Sequence, residues 1–159
     1  MGGVDKTAIE VDGVAIVDRV RDALVSTCGR VAVIGRDAPG GPAAAVASVA
    51  NEIGAAETVV VVAGDLPLLR TDHVEALVAA VEHADAAAAL DDRGLPNPLV
   101  AAYRAAQLRA TIEGIVDGDR ADRLLPPHTR TVALDADATF SVNTPEDLEE
   151  ARRRLLGEG

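Results

Sequence analysis

Two kinds of apolar pattern alternate along the chain. Val20, Ala23 and Leu24 recur at helical spacing within Asp18–Cys28, behind Ile16 and Val17, and Gly29 stands where a C-cap belongs. Arg30–Gly35 is instead a short continuous apolar run bounded by glycine, which predicts a buried strand, and Arg36–Pro42 reads as a turn from its Pro and Gly content. The Ala/Val-rich stretch Ala43–Ile53, stopped by Gly54, predicts a second helix. Thr58–Ala63 is apolar at each valine and alanine, so it predicts a strand buried on both faces.

The alternation continues to the C-terminus. Thr71 serves as an N-cap for a helix reaching Ala84, with Val74, Leu77, Val78 and Val81 on one face. Ala86–Leu90 and Leu99–Tyr103 predict strands on either side of a turn at Asp91–Gly94. Ala105–Val116 predicts a helix, Ala121–Leu125 a short one, and Arg130–Leu134 a strand. Thr144, Pro145, Glu146 and Asp147 then combine an N-cap, a proline at the first helical position and acidic residues at the positive end of the dipole, opening a last helix that runs to about Leu156. Strands alternating with helices predict an α/β domain of three layers, α/β/α, around a mostly parallel sheet, with ligands beyond the C-terminal ends of the strands.

Composition sharpens this picture. At 159 residues the chain is expected to fold as a single domain, 1–159. Tyr103 and Phe140 are its only aromatics, so the core must be aliphatic, which suits a buried sheet under Ala-rich helices. A formal charge of −11 repels phosphate backbones and anionic lipid, which argues against nucleic-acid and membrane-surface roles. A nucleotide remains compatible with that charge, because a few backbone N–H groups, a lysine and a divalent metal suffice to hold it. The lone Cys28 excludes an intrachain disulfide framework and a Cys-rich zinc site. It fits a reducing compartment and a place as a small core residue. No apolar run reaches the length of a membrane span and no basic n-region precedes an apolar h-region, so a cytoplasmic protein is expected, monomeric or weakly homo-oligomeric.

Three loops carry candidate chemistry. Asp65-Leu-Pro-Leu-Leu follows the strongest strand and sets a carboxylate at the open end of the sheet, where an ion bridging phosphates is held. Gly2-Gly3-Val4-Asp5-Lys6 pairs flexible glycines with a lysine but lacks the spacing and the Ser/Thr of a P-loop. Asp37-Ala-Pro-Gly-Gly-Pro42 puts glycines just before a helix N-terminus, where backbone can approach a nucleotide. His73, His83 and His128 share no ligand spacing and read as surface or helix residues, and no serine lies in a nucleophile elbow.

In order, GGVDK at Gly2–Lys6, DAPGGP at Asp37–Pro42, VVVVAGDLPLL at Val59–Leu69, NPLVAAYR at Asn97–Arg104 and VNTPEDL at Val142–Leu148 resemble the molybdenum cofactor guanylyltransferases. These belong to the nucleotidyltransferases of the glycosyltransferase-A type, a Rossmann-like fold also described as nucleotide-diphospho-sugar-transferase-like. The resemblance implies transfer of GMP from GTP to molybdopterin or its molybdenum-loaded form, with release of pyrophosphate and Mg²⁺ as cofactor. It implies that Gly2, Gly3, Lys6, Asp37 and Asp65 bind the nucleotide, that Lys6 and Asp65 act in catalysis, that Asp65 binds the metal, and that Asn143 lies on the acceptor side.

Departures from the family pattern set further expectations. Met1 matches the Met of the family's Leu-Ala-Gly-Gly-x-Ser-x-Arg-Met-Gly loop, so the family's first strand and most of that loop are expected to be missing, with a true start upstream. The stretch between Val31 and Asp37 is shorter than the pattern. Ser141 stands where family members commonly carry Asp or Asn. Two other functions share this frame. One is a related cytidylyltransferase or sugar-phosphate nucleotidyltransferase, separable by comparing GTP with CTP. The other is a degenerate, non-catalytic binding module, which would show weak or absent nucleotide binding and an exposed apolar gap where the first strand belongs.

Overall fold

The computed structural model describes residues 9–35 and 38–157. It opens on a small hairpin, β1 (Glu10–Val11) and β2 (Val14–Ala15), joined by Asp12 and Gly13 at φ 52° and 74°. Both residues of this Asp-Gly turn take the left-handed conformation that matches the twist of paired strands. Helix α1 (Ile16–Val25) follows directly, two residues earlier than the periodicity placed it, and buries Ile16, Val20, Ala23 and Leu24. The chain then runs through α2 (Gly41–Ser48), a 3₁₀ turn at Ala50–Ile53, β3 (Thr58–Val62), α3 (Thr71–Val81), β4 (Ala86–Leu90) and β5 (Pro96–Arg104). It ends with α4 (Ala105–Ile112), 3₁₀ turns at Ala121–Leu124 and Ala136–Thr139 around β6 (Thr129–Val132), and α5 (Pro145–Leu155).

The main sheet has the order β3-β5-β4-β6. Strands β3, β4 and β6 point the same way, whereas β5 is inverted between β3 and β4 and pairs antiparallel with both. The expected mostly parallel sheet is therefore mixed. The reason is local: five residues, Asp91–Leu95, connect β4 to β5, and a parallel connection needs a dozen or more. Asp91 builds that turn by accepting from the backbone N–H of Leu95 (2.8 Å) and of Arg93 (2.9 Å), which holds its carboxyl below the usual range.

Alternate residues of each strand feed two aliphatic cores. Val60, Val62, Ala87, Ala89, Val100 and Ala102 face α1, α3 and α5, while Val59, Val61, Ala86, Ala88, Ala101 and Tyr103 face α2 and α4. This gives the three-layer α/β/α arrangement. Four successive alanines in β4, each 0% exposed, let the helices approach the sheet closely. Tyr103 fills the space they leave on one face, and its hydroxyl donates to the Pro98 carbonyl at 2.7 Å.

One predicted strand is absent. Residues 30–35 are irregular, with Ala32 exposed and Val33 55% exposed, because no described strand lies beside them to complete a ladder. Among the described residues β3 is an edge strand, and all five of its residues are only half-buried. Among the described residues no helix is long and apolar enough to cross a membrane.

Candidate active site at the end of strand β3

The chain leaves the sheet at Val62 and is held in line for one more residue, as the Ala63 N–H donates to the Leu99 carbonyl at 2.8 Å. Gly64 and Asp65 then turn over the strand end. Leu66, Leu68 and Leu69 are all buried behind them, and a Leu69 N–H to Leu66 carbonyl bond (3.2 Å) closes the turn. The sequence dictates this shape: three leucines anchored in the core and Pro67 fixing φ leave the half-buried Asp65 at the mouth.

The closing motif is brought to the same place. The Val142 N–H donates to the Asp65 carbonyl at 3.0 Å, so Ser141, Val142 and Asn143 lie against the strand end although more than 75 residues separate them in sequence. Val142 is fully buried and serves as the anchor. Asn143 is exposed, and its Nδ2 donates to Ser141 Oγ at 2.8 Å. Its backbone N–H and that of Thr144 donate to one Asp147 carboxylate oxygen (2.9 and 2.8 Å), while the Asp147 N–H donates to Thr144 Oγ1 (3.1 Å). Thr144 and Asp147 thus form a reciprocal capping box at the start of α5, which fixes the loop carrying Asn143.

A charged latch frames this loop. Arg70 contacts Asp135 (2.7 Å), Asp72 (3.1 Å) and Asp137 (3.5 Å), and Arg154 continues the chain of pairs to Asp137 (3.0 Å) and Glu150 (2.7 Å). Hydrogen bonding from the Arg70 guanidinium pushes Asp135 down to about 2. Arg154 also lies over the Phe140 ring, 4.6 Å from its centre. His73, expected as a surface or helix residue, lies in α3 and is only 3% exposed. Its Nδ1 accepts from the Arg70 N–H at 3.2 Å, which leaves Nε2 as the protonated nitrogen, 3.1 Å from Asp135 Oδ1. That contact is short but off the hydrogen-bond direction, since Nε2 has no partner of good geometry. Arg70, rather than Thr71, is the N-cap residue of α3.

Of the sequence-predicted site residues, Asp65 and Asn143 are brought together. Gly2, Gly3, Lys6 and Asp37 lie outside the described residues. The loop after Asp37 is described from Ala38, and there Gly40 sits at φ 88° with Asp117 and Ala44 packed where a Cβ would be, so only glycine fits. Sequence reasoning placed the turn at Asp91–Gly94 but missed the antiparallel pairing it forces, and it missed the latch. A lone His or Arg gives no periodic signal, although Asp91-Asp-Arg-Gly between two strands was a readable hairpin.

Two cavities flank the strand end. One, of about 600 Å³, is lined by Asp91, Asp92, Asn97, Asp135, Ser141 and Arg154. The other, of about 890 Å³, runs along the outer edge of β3 and reaches Asp65. Among the described residues no group of three or more His, Cys, Asp or Glu is placed to hold a metal. Asp65 is the carboxylate that the turn holds at the strand end, and a lone carboxylate can hold Mg²⁺ when substrate phosphates supply further oxygens.

Residues 1–132 match the family model described as MobA-like NTP transferase domain. The chain belongs to the MobA-like NTP transferases. A relative from Natronomonas pharaonis described as a probable molybdenum cofactor guanylyltransferase is 30% identical, with 98% of this chain and 92% of the relative aligned. That alignment spans 188 positions against a chain of 159 residues, so the relative carries residues inside the matched stretch that this MobA-like chain lacks. The fold is also that of molybdopterin-guanine dinucleotide biosynthesis protein A from Archaeoglobus fulgidus (TM-score 0.69, 20% identity, 99% of this chain and 93% of that one). It is similar to 2-C-methyl-D-erythritol 4-phosphate cytidylyltransferase from Thermus thermophilus (TM-score 0.63, 21% identity, 97% and 94%). The chain thus has the α/β nucleotidyltransferase fold, with its mixed sheet.

Proposed function

We propose that this chain, acting as one domain over 1–159, transfers GMP from GTP to molybdopterin or its molybdenum-loaded form and releases pyrophosphate. The observation that carries the proposal is the seating of Ser141–Asn143 against Asp65 at the end of β3, within a nucleotidyltransferase whose 30%-identical relative is described as a molybdenum cofactor guanylyltransferase. An acceptor phosphate oxygen attacks the α-phosphorus of GTP, the bond to the β-phosphate breaks, and pyrophosphate leaves. The barrier is charge repulsion between anions, so positioning and countercharge supply the catalysis and no protein nucleophile is needed.

In this reading Asp65 holds Mg²⁺, which when bound neutralises charge on the triphosphate. Lys6 contacts the phosphates, the backbone at Gly2 and Gly3 lets them approach, Asp37 helps hold the nucleotide, and Asn143 orients the acceptor. The test is pyrophosphate release with Mg²⁺ and molybdopterin, supplying GTP or CTP. The expected result is release with GTP that falls on Asp65→Ala. Release with CTP alone would reassign the base, and release unchanged by Asp65→Ala would remove Asp65 from the chemistry.

A further inference from the structure

The two segments that meet at the end of β3 are joined twice. The first tie is the Val142 N–H on the Asp65 carbonyl. The second lies at the other end of both segments, where Arg70 Nη2 donates to Asp135 Oδ2 at 2.7 Å across 65 positions of sequence. Residues 65–70 and 135–142 are thus clamped head to tail, with the 3₁₀ turn Ala136–Thr139 between the ties. The two sides of the clamp are unequally fixed. Leu66, Leu68 and Leu69 anchor the first in the core, and it continues into α3. The second is fully buried at Ala138 and Val142 alone, and Asp135 and Ala136 are exposed.

Charge makes the second side depend on Arg70. Asp72 of α3 and Asp135 and Asp137 of the segment share one guanidinium: Nε and Nη2 donate to Asp72 (3.1 and 3.2 Å), Nη2 also to Asp135, and Nη1 lies 3.5 Å from Asp137. Without it, α3 and the segment would present like charges to each other, and the less anchored of the two would move. Arg154 ties Asp137 to α5 (3.0 Å) rather than to α3. His73 Nε2 comes within 3.1 Å of Asp135 but lacks a partner of good geometry, so Arg70 carries the link to α3. A lysine could not replace it, because a single ammonium lacks the fork that reaches Asp72 and Asp135 together. The segment in turn shapes the site. Asp135, Ala136, Thr139, Phe140 and Ser141 wall the 600 Å³ cavity, and Asn143 follows directly on Val142.

We propose that Arg70 is a positioning residue, which acts through Asp135 to hold residues 135–143 at the distance from Asp65 that the acceptor requires. It works on the geometry of the segment rather than by touching substrate. The proposal rests on the reading of Asn143 as an acceptor-side residue.

The test compares Arg70→Gln, Arg70→Lys and Asp135→Asn with the parent, by amide hydrogen exchange and by steady-state pyrophosphate release with Mg²⁺ and varied molybdopterin and GTP. Exchange of the Val142 N–H is expected to quicken about three- to tenfold in each variant, the size of coupling found within one polar network. The Ala63 N–H, bonded to Leu99, and the Leu148 N–H, bonded to Thr144, are expected to keep their rates. KM for molybdopterin is expected to rise about tenfold, less than a full ångström of misplacement can cost, while KM for GTP holds. The double variant Arg70→Gln/Asp135→Asn should match the single ones, since the pair acts as one tie. Equal quickening at all three amides would show a merely structural role, full rescue by lysine a role for charge alone, and an unchanged Val142 N–H no role. Each of these overturns the proposal, as does a KM for GTP that rises with that for molybdopterin. If the parent releases no pyrophosphate, the guanylyltransferase reading fails, while exchange at Val142 still decides whether Arg70 holds the segment. Asp135→Asn approaches the tie from its other side, so the test stands even if an Arg70 variant fails to fold.

Discussion

Strands β3 and β4 are near twins in sequence and opposites in environment. Thr58–Val62 and Ala86–Leu90 are both five-residue runs with no charge, yet Ala86–Ala89 are fully buried while each residue of β3 is half-exposed. The difference is in neighbours: among the described residues β4 lies between β5 and β6, whereas β3 has β5 on one side and a cavity on the other. An apolar run therefore shows what a strand tolerates, and pairing decides what it becomes. In this fold the closed strand supports the core, and the open one leads to the carboxylate on which the proposed chemistry rests.

Asp65→Ala tests that division most severely. Pyrophosphate release should fall by about 10²- to 10³-fold, as expected when a charge-stabilising group at the reacting centre is removed. The melting temperature should hold, since Asp65 is not a core residue. A second comparison asks whether the two strands differ in packing. Ala88→Leu, inserted between fully packed layers, should cost about 1–3 kcal/mol. Val60→Ile, extended toward the cavity, should stay within about 0.5 kcal/mol of the parent in urea titrations. Equal costs would erase the contrast between β3 and β4.

Smaller effects belong to the loop that meets Asp65. Thr144→Ala removes the acceptor for the Asp147 N–H and should cost about 1 kcal/mol, with activity reduced because the cap holds the Asn143 loop. The weakest effect is acid dependence. The carboxyl of Asp135, lowered to about 2 in the fold chiefly by its hydrogen bond from Arg70, contributes stability above pH 4 that is lost as pH falls toward 2. Solvent around this exposed pair keeps the contribution below about 1 kcal/mol. Arg70→Gln should flatten that part of the stability-against-pH curve, and an unchanged curve would show that the latch is passive.

Much of this was legible in the residues. The valine run of β3, the Thr-Pro-Glu-Asp opening of α5 and the amphipathic α3 are local signals, and each element stands within a few residues of where they placed it. The hairpin at Val11-Asp12-Gly13-Val14 carried an equally local signal, the Asp-Gly turn, that was not used. The inverted β5 was implied by the short turn at Asp91, which leaves no room for a crossover. What sequence does not carry is pairing at a distance. Val31–Ile34 has the composition of a strand but no strand beside it among the described residues, and His73 acquires its partners only when β6 and the following 3₁₀ turn bring Asp135 beside α3. At the site, Asp65 and Ser141–Asn143 are joined by a backbone hydrogen bond from Val142, a long-range contact that local residue patterns do not encode.

The most direct measurement of the central claim is the mass of molybdopterin after incubation with GTP, Mg²⁺ and the chain, with Asp65→Ala in parallel. The account predicts an added GMP in the parent reaction and none in the variant. A product formed equally by both, or by neither, would contradict it.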